Sequence, residues 1–219
     1  CLIMIMDIVN GAPINIHITT EDDPSETVTV TWQTEFDIET GQVDFGPDDN
    51  YGQSVQAVPH TYSGSSGMIW DARLEGLAAD TEYHYRCGSD ESGWSLDHTF
   101  RTAPPAGFPV RIIALGDSRT GLATWQQLTE TILVLENPAL VIHNGDLVNN
   151  GSSQDDWDAF FEAGSELLSE TIMMPCEGNH DYARKIYHQF ALPTNGGADE
   201  DYYSFNWGDL HILVLNTEL

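Results

Sequence analysis

The apolar pattern of the chain changes its period at the proline-rich stretch 104–109. Before it, short segments alternate apolar with polar residues and end at Gly, Pro, Asp or Ser, which is typical of antiparallel strands. After it, segments 110–115 and 140–143 are almost continuously apolar, as in parallel strands that are buried on both faces. The two patterns predict two domains, at residues 1–103 and 110–219, joined by a linker at residues 104–109.

The first domain is predicted to be an all-β sandwich. Seven alternating segments follow one another with no helical stripe between them, a number that matches an immunoglobulin-like or fibronectin type III-like fold. In one of them, Val28, Val30 and Trp32 share a face and are predicted to be buried. The seven predicted strands are Ile14–Thr19, Thr27–Thr34, Gln42–Phe45, Ser54–Pro59, Met68–Leu74, Glu82–Gly88 and Ser95–Arg101.

The second domain is predicted to be the N-terminal half of an α/β domain. Two helical stripes, Ala123–Leu135 and Asp156–Leu168, separate three apolar runs, the last of them Thr171–Met174. This order predicts a parallel sheet with right-handed crossovers. The sheet would keep an open edge and an uncovered apolar face, so the domain is expected to be truncated at its C-terminus. The elements predicted to follow the sheet are a short helix and two strands, at Ala183–Phe190, Tyr202–Trp207 and Asp209–Leu215.

Both helical stripes carry an apolar side, and burial is predicted for that of the second stripe and for the tryptophan of the first. Their apolar residues recur at intervals of three and four, which places them on one face of a helix. In the first stripe these residues are Trp125, Leu128, Ile132 and Leu135, and those predicted to be buried in the second are Trp157, Phe160, Phe161, Leu167 and Leu168.

Each predicted parallel strand ends in a glycine followed by polar side chains. Because such strand ends lie at one edge of a sheet, the three turns are predicted to converge, with each glycine allowing a tight bend. Two carboxylates and an amide oxygen would be unfavourable together unless a cation lies among them. We therefore predict that Asp117, Asp146 and Asn179 bind metal, with Asp146 bridging two ions of Mn, Fe, Zn or Mg. Taken singly, the two aspartates could instead be ordinary turn or helix-cap residues.

These three turns resemble the first three metal-binding blocks of the calcineurin-like metallophosphoesterases, and among them those of the purple acid phosphatases. The turns are Gly116-Asp117, Gly145-Asp146 and Gly178-Asn179-His180-Asp181. The first domain is similar to the fibronectin-like domain of that family through Val30–Thr34, Leu74–Leu77 and Thr81–Gly88. Tyr203–Phe205 and Leu213–Thr217 resemble the hairpin that follows the third block.

The resemblance implies a centre of two metal ions (Fe, Zn or Mn) held by Asp117, Asp146 and Asn179. It makes His180 the catalytic residue that contacts the phosphoryl group, as a hydrogen-bond donor or as the acid for the leaving oxygen. The implied reaction, in the full-length protein, is hydrolysis of phosphate monoesters by a metal-bound hydroxide. The alternatives are a phosphodiesterase or nucleotidase on the same scaffold, and a secreted binding module with a degenerate phosphoesterase domain.

Three features depart from the pattern of the family. Asn149 stands where purple members carry a tyrosine bound to ferric iron, so a purple colour is not expected. Arg119 replaces a usual glycine and is predicted either to bind the substrate phosphate or to pair with nearby carboxylates. The later histidine blocks have no counterpart before Leu219, so the chain alone is expected to bind metal weakly and to turn over little.

Charge limits the partners of the chain. Seven basic and 35 acidic residues give a formal net charge of −28, which argues against nucleic acid and leaves a small phosphoester as the expected partner. Such a surface suits either a high-salt environment or an ordinary acidic extracellular protein. No apolar run reaches the roughly 20 residues that a transmembrane helix needs. An extracellular or cell-surface location is predicted, with Cys1 as a lipid anchor or as the start of an incomplete reading frame, and the oligomeric state stays open.

Three further side chains are assigned structural roles. His143, at the end of the second parallel strand, is predicted to pack behind the site and not to bind metal. Cys87 and Cys176 fall in different predicted domains and are predicted to be buried thiols.

Overall fold

The structure, a computed structural model, describes residues 11–182, 186–196 and 202–217, without the side chain of Tyr187. Cys1 and the outer limits of the two predicted domains lie outside the described residues. Within these ranges, no helix has the combination of length and apolar character that crossing a membrane requires.

Residues 14–101 form two antiparallel sheets. The first has the strand order β1-β2-β6-β5, and the second has the order β4-β3-β7-β8 with β9 also paired to β7. The strands are β1 (Ile14–Thr19), β2 (Val28–Thr34), β3 (Gln42–Gly46), β4 (Gln53–Gln56), β5 (Val58–His60), β6 (Met68–Leu74), β7 (Glu82–Ser89), β8 (Gly93–Trp94) and β9 (His98–Arg101). This arrangement confirms the predicted β-sandwich.

Of the seven predicted strands, one is divided between the two sheets and another is shorter than predicted. The predicted strand Ser54–Pro59 is split because β4 pairs with β3 in one sheet and β5 pairs with β6 in the other. The chain changes sheet at Ala57, whose N–H donates to the carbonyl of Gly41 at 2.8 Å. The predicted strand Ser95–Arg101 is likewise shorter, since residues 95–97 separate β8 from β9.

Strand β2 is buried along its whole length. Val28, Val30 and Trp32 are completely buried, as the alternation predicted, and Trp32 stacks on Trp70 with ring centroids 6.2 Å apart. The residues between them are also buried, because their hydroxyls have polar partners. Thr31, for example, donates to Asp71 at 2.7 Å.

After residue 110 the chain forms the predicted parallel sheet, with strand order β10-β11-β12. Its strands are β10 (Ile112–Leu115), β11 (Leu140–His143) and β12 (Met173–Pro175). The two crossover helices are α1 (Leu122–Thr131) and α2 (Gln154–Glu170). The fold class is therefore a β-sandwich followed by part of an α/β domain, as predicted.

Helix α2 packs between α1 and the sandwich. The indole N–H of Trp125 in α1 donates to the carbonyl of Phe160 at 3.1 Å, and the two rings stack 5.2 Å apart. On the other side, the hydroxyl of Tyr85 in β7 donates to the carbonyl of Ser169 at 2.6 Å. All five apolar residues predicted to be buried in α2 are buried: Trp157, Phe160, Phe161, Leu167 and Leu168.

The apolar side of the first helical stripe is only half buried. Trp125 and Ile132 are buried, whereas Leu128 is 41% exposed and Leu135 is 69% exposed. The helix widens into a π-helical turn at Ile132–Glu136, which changes the direction of the side chains that follow. The sequence pattern assumes a regular helix and does not detect this change.

A short helix and a hairpin follow β12 in the described part of the chain. Helix α3 is described over Ile186–Gln189, within the predicted Ala183–Phe190, whose first three residues lie outside the described residues. Strands β13 (Tyr203–Trp207) and β14 (Leu210–Val214) form an antiparallel hairpin, close to the predicted pair. The hydroxyl of Tyr203 donates to the carbonyl of Pro175, so the hairpin packs beside β12.

Candidate functional site

The turn after β10 is hydrogen-bonded to the turn after β11. The N–H of Asp117 donates to the carbonyl of Gly145 at 3.1 Å, and the N–H of Arg119 donates to the carbonyl of Asp146 at 3.2 Å. Both aspartates have a left-handed backbone, with φ of 60° at Asp117 and 56° at Asp146. Aspartate tolerates this conformation better than most residues, so the two reversals carry the carboxylates at modest cost.

The third turn closes against the second through two glycines. A methyl group at Gly178 would lie 2.2 Å from the backbone nitrogen of Asp146, so no larger residue fits there. Gly145 has φ of +90°, which favours glycine. Of the three glycines only Gly145 has a left-handed backbone, and at Gly178 it is the close approach of Asp146 that requires a glycine.

Arg119 lies on the two carboxylates predicted to bind metal. Its Nη1 contacts Oδ2 of Asp146 and lies 3.5 Å from Oδ1 of Asp117. The residue Asp146 is 8% exposed, whereas the side chain of Asp117 is 78% exposed. Of the two roles predicted for Arg119, pairing with nearby carboxylates is the one that the structure contains.

His180 is oriented by the turn after β11. Its backbone N–H donates to Oδ1 of Asp146 at 3.0 Å, and its Nδ1 lies 2.8 Å from the carbonyl oxygen of Asn149. That carbonyl can only accept, so Nδ1 carries the hydrogen and Nε2 is the nitrogen that remains to face a substrate. Asn179 precedes His180 on the same turn and is exposed. Arg119 thus joins Asp117 to Asp146, and Asp146 accepts the backbone N–H of His180, the residue after Asn179.

Asp181 joins two of the turns, a role that the sequence did not reveal. Its carboxylate is completely buried and accepts the N–H of Val148 at 3.1 Å and that of Gly178 at 2.9 Å. Burial raises the pKa of Asp181 to about 6, although these hydrogen bonds oppose the shift. Its only sequence signal is its place in the turn that begins at Gly178, where roles were predicted for Asn179 and His180 but not for Asp181.

His143 packs behind the site, as predicted. The hydroxyl of Ser118 donates to the carbonyl of Leu147 at 2.9 Å, so Nε2 of His143, 3.0 Å away, must carry the hydrogen that it donates to Ser118. Burial of the ring, whose neighbours include Trp125 and Phe160, lowers the pKa of His143 to about 3 and keeps it neutral. Through Ser118, this histidine fixes the residue next to Asp117.

The predicted buried thiols differ in exposure. Cys87 is buried, and burial raises its pKa to about 12, whereas Cys176 is only partly buried. Both are free cysteines.

The donors at the site fit part of a metal centre. Two carboxylates and one amide are oxygen ligands that hard and borderline divalent cations accept. In the part of the chain that the structure describes, however, no three His, Cys, Asp or Glu side chains gather into a metal-binding group. The nitrogen ligands of a complete centre would therefore have to come from elsewhere.

Two family models match the chain in sequence. The model of the purple acid phosphatase N-terminal domain matches residues 13–102, and that of the calcineurin-like phosphoesterases matches residues 110–217. Purple acid phosphatase 15 of Arabidopsis thaliana is 31% identical over an alignment of 190 residues, and the match covers 69% of this chain and 35% of that protein. Probable purple acid phosphatase 20 of the same plant is 27% identical and covers 92% of this chain, with 53% of its own length matched.

A solved structure matches the fold over almost the whole chain. It is a purple acid phosphatase isolated from yellow lupin (Lupinus luteus) seeds, with a TM-score of 0.82 at 20% identity, covering 95% of this chain and 45% of that one. The chain spans about half, or less, of the length of these relatives. Its two matched regions, in the order and fold of those proteins, show that the chain belongs to the calcineurin-like phosphoesterases and is similar to the purple acid phosphatases among them.

Proposed function

We propose that the whole protein containing this chain is a dinuclear-metal phosphoesterase that hydrolyses phosphate monoesters. The observation that carries the proposal is the meeting of Asp117 and Asp146 at one guanidinium, at the carboxyl ends of adjacent parallel strands. Membership of a family that uses dinuclear metal centres supports it. The metals proposed are Fe, Zn or Mn.

In this proposal, Asp117, Asp146 and Asn179 would hold the metal ions, and Asp146 would be a ligand of both. When bound, the ions supply a Lewis acid for the phosphate and a lowered pKa for the attacking water. The buried position of Asp146 fits a shared ligand, since its Oδ1 already accepts the N–H of His180 and only part of the carboxylate faces outward.

His180 is the proposed catalytic residue of the chain itself. With Nδ1 held by the carbonyl of Asn149, Nε2 can donate to a phosphoryl or leaving oxygen when the ring is protonated. Arg119 is the second proposed substrate contact, through its planar pair of donors, once its guanidinium leaves the aspartates. Both act by orienting the phosphoryl group and stabilising its charge.

The test is hydrolysis of p-nitrophenyl phosphate by the full-length protein and two variants. Asp117→Asn and Asp146→Asn keep the size of the side chain and remove a charged ligand, so each is expected to abolish turnover. Asp37→Asn, at an exposed position of the sandwich, is the matched control and should keep full activity. Turnover retained in either site variant would contradict the proposal.

Two further assays separate the alternatives. Faster turnover of a diester such as bis(p-nitrophenyl) phosphate, or of a nucleotide, would favour the phosphodiesterase or nucleotidase reading. Calorimetry that detects no tight binding of Mn, Zn or Fe by the full-length protein would favour a binding module with a degenerate domain.

We also propose a small phosphoester, and no nucleic acid, as the partner, because the formal net charge is −28. An extracellular or cell-surface location is proposed with it. Mass spectrometry of the mature protein would detect a lipid on Cys1.

A further inference from the structure

Arg119 occupies the same oxygens that a metal ion would use. Its Nη1 contacts Oδ2 of Asp146 and lies 3.5 Å from Oδ1 of Asp117, so one cationic group already lies between the two carboxylates. A metal ion bound at Oδ2 would lie next to the positively charged guanidinium, and the repulsion between the two cations opposes their binding there together.

The backbone holds Arg119 at this position. Its N–H donates to the carbonyl of Asp146 at 3.2 Å, and it belongs to a single 3-10 turn, Ser118–Thr120, that begins directly after Asp117. The side chain is only 28% exposed, less than that of Arg73, at 36%, or Arg101, at 50%. The guanidinium is therefore directed into the site by its local structure.

Charge makes this arrangement favourable. The chain carries seven basic residues against 35 acidic ones, so a pair of neighbouring carboxylates has few cations to neutralise it. Asp146 is 8% exposed, and an unpaired charge at such a position is costly. A positive group within hydrogen-bonding reach relieves that cost.

We infer that Arg119 is a built-in counter-cation of the Asp117 and Asp146 carboxylates, which metal must displace in order to bind. The inference rests on the proposed metal site. Arg119 holds the site together before metal binds and weakens the affinity of the site for metal. After displacement, its guanidinium stays beside the site on the same short turn.

The main test is Mn²⁺ binding by the full-length protein, followed by the electron paramagnetic resonance signal of free Mn²⁺ at fixed ionic strength. Arg119→Ala is expected to lower the Kd about five- to tenfold, the effect of removing a competing ion pair that is partly buried. Arg119→Lys keeps the charge but loses the planar guanidinium, so its Kd should lie between those of the unmodified protein and Arg119→Ala.

Arg73→Ala is the matched control. Arg73 also lies between two carboxylates, 3.4 Å from Asp22 and 2.9 Å from Glu75, but on the sandwich. The Arg73→Ala variant loses the same overall charge as Arg119→Ala, but at a distance from the site. Its Kd for Mn²⁺ should therefore equal that of the unmodified protein. If Arg73→Ala lowers the Kd as much as Arg119→Ala does, the cause is the change in overall charge and the inference is wrong.

A second measurement follows thermal unfolding in EDTA. Arg119→Ala should melt at a lower temperature than the unmodified protein, and adding Asp146→Asn to that variant should recover part of the loss. If Arg119→Ala instead binds Mn²⁺ no more tightly than the unmodified protein, or less tightly, the inference is overturned while the proposed function stands. If neither the unmodified full-length protein nor its Arg119→Ala variant binds Mn²⁺, the proposed function fails as well.

Discussion

His17 is a buried histidine at the contact between the sandwich and the α/β part. Its ring stacks on Phe161 with centroids 4.6 Å apart, and its two nitrogens lie 2.8 Å from the carbonyl oxygen of Asn15 and 2.7 Å from that of Gln189. Burial lowers the pKa of His17 to about 4, although both carbonyls oppose the shift. The folded protein therefore keeps this ring neutral in a pH range where the unfolded chain binds a proton.

This histidine makes stability depend on pH. Above pH 6.5 the ring is neutral in both states, and between pH 6.5 and 4 only the unfolded chain is protonated. Acidification over that range should remove about 3 kcal/mol of unfolding free energy at this residue. Urea unfolding at pH 7.5 and 4.5 should show a smaller loss for His17→Gln than for the unmodified chain. His211→Gln, in the exposed part of the hairpin, should lose as much as the unmodified chain, and equal losses in all three would contradict the account.

Helix α2 is the element on which both halves of the structure pack, and its N-terminus is capped. The hydroxyl of Ser153 accepts the N–H of Asp156 at 3.2 Å and donates to the Asp156 carboxylate at 2.9 Å. The same carboxylate accepts the N–H of Asn150 at 3.0 Å. The cap therefore connects the helix to the loop that follows Asn149, the residue whose carbonyl orients His180.

Loss of this cap should destabilise the chain. Ser153→Ala removes a hydrogen-bond partner from the first turn of the helix and should lower the unfolding free energy by about 1 kcal/mol in urea. Ser165→Ala, an exposed serine within the same helix, makes the same chemical change and should have no effect or stabilise slightly, because alanine is the better helix former. A loss at Ser165 as large as that at Ser153 would show that the cap contributes nothing.

The whole molecule is strongly acidic, with 35 acidic and seven basic residues. Repulsion among these charges opposes the compact state, and salt screens it, since the Debye length falls from about 10 Å at 0.1 M to about 3 Å at 1 M. The midpoint of thermal unfolding should therefore rise by at least about 3 °C, or roughly 1 kcal/mol, between 0.1 and 1 M salt. Calorimetry in NaCl and in KCl checks this, and a falling or constant midpoint would contradict it. Equal shifts in the two salts would identify screening as the cause.

The sequence by itself determined the fold class and the turns that form the candidate site. Alternation in residues 14–101 specified strands with one apolar face, and the continuous apolar runs after residue 110 specified parallel strands. The glycine and aspartate that end each of the first two runs could be located for the same reason, since parallel strands end at a common edge. These patterns are local, because each depends only on residues that are close together in the sequence.

Only the tertiary structure decided which side chains meet at the site. Arg119 reaches the carboxylate of Asp146, Asp181 accepts the N–H of Val148, and His143 donates to Ser118, each across 25 to 33 residues of chain. The exposure of Leu135 was also decided there, by a π-helical turn that the periodicity of the sequence does not encode. Such contacts depend on how separate elements pack against one another. The sequence gives the identity of these residues but not the distances between them in the folded chain.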